Sequence, residues 1–142
     1  MKINLIIIFL IIFSRFFAFN LSPGSPYWEE VALGYDAYSI AKTARDHHGN
    51  FLPVAAFESF GDYKPSLYFY TAVPFIKIFG LNTFAVRLPT VLASIAIIFG
   101  TALLAKNLFV KFYVKNDQKN ASFIYYLTLF LSSISPWLMM FS

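Results

Sequence analysis

The sequence predicts an all-α, polytopic membrane protein with about three transmembrane helices and interfacial amphipathic helices in the first outer loop. Three observations lead there. Of the 142 residues 58% are hydrophobic and only 13% charged, about half of the roughly 25% charged share of soluble domains. Aromatic residues supply 20% of the chain, with 18 Phe and 9 Tyr. Three apolar runs approach the ~20 residues needed to cross the hydrocarbon core. The net charge of +4 forms no basic stripe with interleaved aromatics, so no nucleic-acid partner is expected. The absence of cysteine excludes disulfides, thiol catalysis and Cys-ligated zinc.

The first expected span covers residues 3–19, with Arg15 near one end, where its guanidinium would snorkel to the headgroups. Met-Lys before an apolar run also fits a signal peptide. However, "FFAFNLS" puts large aromatics where a small-residue cleavage site would lie, which favours an uncleaved helix. The second span covers 88–105, 18 residues without a charge, and the third covers 121–141. Between the last two, residues 106–120 hold four Lys and one Asp, whereas the longer stretch 20–87 holds five basic and six acidic residues. The positive-inside rule therefore puts the N-terminus and a loop at 106–120 in the cytoplasm and loop 20–87 outside. The sequon at Asn120 would then face the cytoplasm and stay unglycosylated.

Within the outer loop, Ser25 followed by Pro26 reads as an N-cap and first helical residue. No strong breaker follows before Asp46. Asp36, Ser39, Thr43 and Asp46 would form one polar stripe. Val31, Leu33, Tyr35, Tyr38, Ile40 and Ala44 fill much of the rest, which makes the helix amphipathic. Gly49 is the expected residue beyond its end, with Pro53 following. The run from Pro65 to Gly80 has an uncharged part of 12 residues, too short to span. It is expected to lie in the outer interface, with Tyr68 and Tyr70 at headgroup depth.

Glu29 and Glu30 have two readings. Acidic side chains near a helix N-terminus are stabilised by the macrodipole, typically by about 0.3–1 kcal/mol. A carboxylate desolvated at the lipid boundary would suit general-base chemistry. His47 and His48, adjacent on a helix, point about 100° apart and cannot easily share a metal, so they read as a solvated helix end. Lys64 precedes Pro65 and enters the interfacial helix, where an ammonium could meet a lipid phosphate or simply snorkel.

The ordered set "P…YWEE", "GYDAYSIAKTARDHHGNFLP", "FGDYKPSLYFY", "FGLNTFAVRLPTVL" and "ISPWLMMFS" resembles the N-terminal part of GT-C superfamily membrane glycosyltransferases. The nearest group is that of protein O-mannosyltransferases and lipid A aminoarabinose transferases, the dolichyl-phosphate-mannose mannosyltransferase-like enzymes. The resemblance implies an inverting enzyme that moves a sugar from a polyprenyl-phosphate donor to a protein, lipid or glycan acceptor hydroxyl on the outer face. It implies catalytic roles for the Glu29-Glu30 pair, which stands where the family has a "DE" pair. Glu29 thus replaces the usual Asp, and its extra methylene moves the carboxylate by over an ångström, a misplacement of the kind that can cost about 10²-fold in rate. It further implies donor-phosphate contact for Lys64 of the "KP" motif. Arg87 of "RLP", at the outer mouth of the second span, is a candidate for substrate contact. Asp46 and Asp62 are further candidates for substrate contact. No cofactor is required, although the family leaves room for a divalent metal. Such enzymes are several times longer, so residues 1–142 are expected to be the front part of a larger membrane domain, inactive alone. The alternative is a small non-enzymatic three-span protein packing against partner helices. Ala93, Ser94, Ala96, Gly100 and Ala102 would permit that close approach.

Overall fold

The computed structural model describes residues 2–17, 26–113 and 118–135. In chain order these form α1 (Lys2–Phe17), α2 (Trp28–Thr43), β1 (Ala56–Ser59), β2 (Asp62–Pro65), α3 (Ser66–Phe79), α4 (Thr83–Phe112) and α5 (Gln118–Ser133). The chain divides into two compact units, one of residues 19–89 and one of residues 1–18 with 90–142.

In the unit formed by residues 19–89, α2 packs on α3 and a hairpin packs on both. α2 begins at Trp28, after Tyr27 in extended conformation. The expected N-cap, Ser25, lies outside the described residues. The helix stops at Thr43, three residues before the expected Asp46, because Ala44 turns left-handed (φ 57°). Its amide bonds the Ile40 carbonyl at 3.0 Å, and its own carbonyl accepts the amide of Leu52 at 3.0 Å. The Thr43 hydroxyl accepts the amide of Arg45 at 3.2 Å, a local turn that competes with another helical turn. Asp46 therefore leaves the stripe of Asp36, Ser39 and Thr43. Gly49 serves the following turn, with φ 88°.

The hairpin departs from the all-helical expectation. Residues 56–59 pair antiparallel with 62–65. Phe60 and Gly61 both have positive φ (56° and 74°), the pattern of a two-residue type I′ turn whose twist matches the strands. Four-residue strands are too short for period-two patterning to reveal. Phe57 is fully buried and stacks on Phe69 of α3, with centroids 4.0 Å apart and planes 8° from parallel. Ile40 completes this cluster.

A second cluster joins Ala37 of α2, Ala72 and Ile76 of α3, and Ala85 and Val86 at the start of α4. α4 starts at Thr83 because the Asn82 carboxamide accepts the amide of Ala85 at 2.8 Å, an N-cap bond. Gly34 allows the close packing of α2 here, since a Cβ at that position would lie 2.7 Å from Cγ2 of Val86. α3 forms where the interfacial helix is expected. Its tyrosines bond inward, however: Tyr68 Oη donates to the Val86 carbonyl at 2.6 Å and Tyr70 Oη to the Pro53 carbonyl at 3.0 Å. Pro89 lacks the amide that would bond the Ala85 carbonyl in this turn of α4; the Tyr68 bond to Val86 ties α3 to the same turn.

In the other unit, Ile11 of α1, Ile98 and Ala102 of α4 and Leu129 of α5 form the core. Val91, Ser94, Ile98 and Ala102 make one buried stripe along α4, whereas Ala93, Ala96 and Gly100 are exposed. The small-residue set thus divides between two faces. Arg15 does not snorkel. It is 2% exposed and donates from Nη2 to the carbonyls of Ser133 (2.6 Å) and Ser132 (3.4 Å), at the C-terminus of α5. A cation there meets the negative end of the helix dipole.

α4 is long and apolar enough to cross a membrane, with 30 residues, or about 45 Å at 1.5 Å per residue. It extends beyond the expected 88–105 at both ends, so Lys106 and Lys111 lie on the helix and not in a loop. The described α1 and α5 have 16 residues each. Residues 18–19 and 136–141 of the other two expected spans lie outside the described residues.

Candidate functional site

In the unit of residues 19–89, the first turn of α2 brings together most of the charged residues singled out in the sequence. Trp28 is the first helical residue, so Glu29 and Glu30 are the second and third, and they point in different directions. That difference separates their roles.

Glu30 reaches back to the amide of Tyr27, which donates to Oε2 at 3.0 Å. It also receives a bidentate pair from Arg87, with Nε at 2.6 Å from Oε1 and Nη2 at 2.8 Å from Oε2. The Arg87 side chain is 5% exposed and that of Glu30 29%. The fork of a guanidinium matches a carboxylate in this way, and such charge-assisted bonds are among the strong ones. The Arg87 hydrogen bonds hold the Glu30 carboxyl below its ordinary range, outweighing partial burial, with the Tyr27 amide adding to the effect. Glu30 is thereby a tie between the start of α2 and the start of α4, a poor proton acceptor with its oxygens committed.

Glu29 is freer. Its Oε1 lies 3.1 Å from Nζ of Lys64, 35 residues away in the chain, and its side chain is 48% exposed. The hairpin explains the encounter. Lys64 on β2 is paired directly with Phe57 on β1, and cross-strand partners share a face. Burying Phe57 against α2 and α3 lays the Lys64 stem along the same face and carries its ammonium to the first turn of α2. Asp62, on that face of β2, is 3.6 Å from the ammonium and 74% exposed. Lys64 is held above its ordinary pKa, first by the Glu29 hydrogen bond, with Asp62 contributing.

Asp46 stands apart from this cluster. It is 4% exposed. Its oxygens accept the amide and the carboxamide of Asn50 at 2.7 and 3.0 Å. Burial pushes its carboxyl up, but the Asn50 and His48 hydrogen bonds outweigh it, leaving a net lowering. Its position organises the turn after α2. Among the described residues no group of three or more His, Asp or Glu is arranged to hold a metal ion.

A cleft of about 220 Å³ adjoins the Glu30 side of α2, walled by Val31, Gly34, Tyr35, Leu81 and Val86. A groove of about 570 Å³ is lined by Trp28, Tyr35, His47, Ser59 and Phe60. His47 and His48 are exposed just beyond α2, as expected of a solvated helix end, but His47 is also tied back to the helix. Its Nδ1 lies 2.6 Å from Oδ1 of the fully buried Asp36, and its amide donates to the same oxygen at 2.9 Å. Only the early end of α2 brings His47 back beside Asp36; 11 residues along a continuous helix would have separated them by about 16 Å. A buried carboxylate needs a partner, so an Asp on an otherwise apolar turn was the available signal.

No protein-family model, no curated protein and no solved structure matches this chain.

Proposed function

We propose that the chain is the front part of a polytopic GT-C-type glycosyltransferase that moves a sugar from a polyprenyl-phosphate donor to an acceptor hydroxyl on the outer membrane face. The observation that carries this reading is the contact of Lys64 with Glu29. The two residues that the family resemblance ties to donor phosphate and to catalysis meet at 3.1 Å although they are 35 positions apart.

The resting pair masks both groups. Glu29 is half exposed and the pair is screened by solvent, so the singly charged phosphodiester of the donor can compete with it for Lys64. The exchange would free the Glu29 carboxylate next to the bound donor. Glu29 then takes the proton of the acceptor hydroxyl as its oxygen bonds to the anomeric carbon. The bond from that carbon to the phosphate oxygen breaks, and its electron pair leaves with the phosphate. The charge developing there is stabilised by the Lys64 ammonium. Glu30 and Arg87 hold the helix start that carries Glu29 and take no part in proton transfer.

Three spans, with residues 20–87 on the outer face, fit this chemistry. Support comes from the length of α4 and from the exposure of Ile6, Phe9, Leu10 and Phe13 on α1 and of Leu103 and Leu104 on α4. Apolar surface of that extent suits lipid or neighbouring helices. A non-enzymatic membrane subunit is the second reading. The exposed Ala93, Ala96 and Gly100 favour it, Gly100 having open space where a side chain would stand, because such a face admits a partner helix closely.

The test is steady-state transfer from a polyprenyl-phosphate sugar in membranes containing the full-length protein. Glu29→Gln is expected to lower kcat by about 10²-fold or more, within the range of general-base contributions, and to lower donor KM, because no carboxylate then competes for Lys64. Lys64→Ala is expected to raise donor KM. Unchanged turnover in Glu29→Gln would remove the proton-transfer role. Identical donor saturation in Lys64→Ala would remove the phosphate contact.

A further inference from the structure

We propose that the groove beside the Asp36–His47 pair binds a pyranoside ring, with His47 as its hydrogen-bonding anchor and Trp28, Tyr35 and Phe60 as its walls. The proposal rests on the transferase reading only in taking this ring to be the sugar acceptor.

The walls come from two elements. Trp28 and Tyr35 lie seven residues apart on one face of α2, and Phe60 stands at the tip of the hairpin. The rings of Trp28 and Phe60 lie 4.7 Å apart, tilted by 38°. All three aromatics are more than half exposed. Aromatic faces are electron-rich and accept the slightly positive C–H face of a sugar ring, an arrangement that leaves the ring's hydroxyls at the edges. The volume, about 570 Å³, falls within the roughly 300–1,000 Å³ of small-ligand sites.

The polar anchor is built and not incidental. Asp36 is fully buried, and its Oδ2 has no hydrogen-bond partner. A carboxylate is costly in such a place, and a surface histidine needs no such support. Oδ1 of Asp36 accepts the His47 amide at 2.9 Å and faces Nδ1 at 2.6 Å. This pair fixes the orientation of an imidazole that lines the groove and is 30% exposed, and it leaves Nε2 as the ring nitrogen not engaged with Asp36. A sugar hydroxyl, which both donates and accepts, is a ligand group that this nitrogen can bond.

Saturation-transfer difference NMR on the full-length protein in lipid nanodiscs tests this, with methyl α-D-mannopyranoside and methyl β-D-glucopyranoside as probes. Ring protons of at least one glycoside are expected to receive saturation. His47→Asn keeps an N–H for Asp36 but removes Nε2, and should reduce the signal at least fivefold. Phe60→Asn keeps the turn, since Asn-Gly is a favoured type I′ pair, but removes one wall; it should reduce the signal similarly. No saturation in the parent, or equal saturation in both variants, overturns the proposal. So does quenching of Trp28 fluorescence by bromine-labelled lipid chains without glycoside signal, which would put this face in the bilayer. Sugar transfer measured in parallel separates the two readings. Unchanged acceptor KM in both variants overturns the groove and leaves the transferase standing. Glycoside binding without transfer in the parent removes the transferase and leaves the groove.

Discussion

Removing the charge of Glu30 while keeping its shape isolates the tie between α2 and α4. In Glu30→Gln the Arg87 guanidinium, 5% exposed, faces a neutral amide in place of a carboxylate that it held through two bonds of 2.6 and 2.8 Å. Fully exposed ion pairs contribute about 0–1 kcal/mol, and breaking a buried pair from one side costs about 3–5 kcal/mol. Glu30 at 29% exposure places this pair between those limits, so the loss should be about 2–3 kcal/mol. That corresponds to a fall in Tm on the order of 10 °C for a domain of this size. A double-mutant cycle with Arg87→Met, read by denaturant unfolding in detergent micelles, should give a coupling of at least about 1 kcal/mol. The pH dependence has a definite sign. The folded carboxyl is lowered, so the contribution is complete above the unfolded carboxyl pKa near 4.5. It is lost as pH falls through the lowered folded value. The parent should lose stability in that acid window, and Glu30→Gln should lose less. A coupling below about 0.5 kcal/mol, or identical acid profiles, would refute the assignment of Glu30 as a structural tie.

Gly34→Ala gains about 1 kcal/mol of helix propensity, yet its Cβ would lie 2.7 Å from Cγ2 of the buried Val86. Val86 is stiff at χ1, and overpacking costs about 1–3 kcal/mol. The variant should be less stable than the parent, and Val86→Ala should rescue it; an unrescued loss would point elsewhere. Phe57→Ala removes the ring stacked on Phe69 and should cost about 3–5 kcal/mol. Because Phe57 orients the hairpin that carries Lys64, the same variant should also raise donor KM; a destabilised protein with unaltered donor use would separate the hairpin from the site.

Much of the helical plan was legible because long apolar runs report themselves. α1 and α3 begin within one residue of where hydrophobicity and proline put them, whereas α4 begins at Thr83, five residues before the expected 88. The signal for the start of α4 is Asn82, whose carboxamide caps the helix through the amide of Ala85. The hairpin was not legible. Its strands are four residues long, and its turn places Phe60, a residue seldom left-handed, before Gly61. Missing the hairpin hid the reason that Lys64 reaches Glu29. Both members of that pair were named from the sequence, but their contact depends on a cross-strand register that no local pattern encodes. The division between Glu29 and Glu30 was equally hidden, because Arg87 lies 57 residues from its partner. Arg15 looked like a snorkelling residue because its acceptors, the carbonyls of Ser132 and Ser133, are backbone groups without a side-chain signature.

The most direct measurement exchanges the charges of the central pair. In Glu29→Lys/Lys64→Glu the ion pair can re-form, but the carboxylate is moved to the hairpin and the ammonium to the helix. If Glu29 accepts the proton and Lys64 meets the phosphate, the double variant should be more stable than the two single charge reversals would predict by addition, while transfer from a polyprenyl-phosphate sugar stays at or below the level of Glu29→Gln. Recovery of parental transfer rates along with stability would contradict those roles and make the pair a structural one.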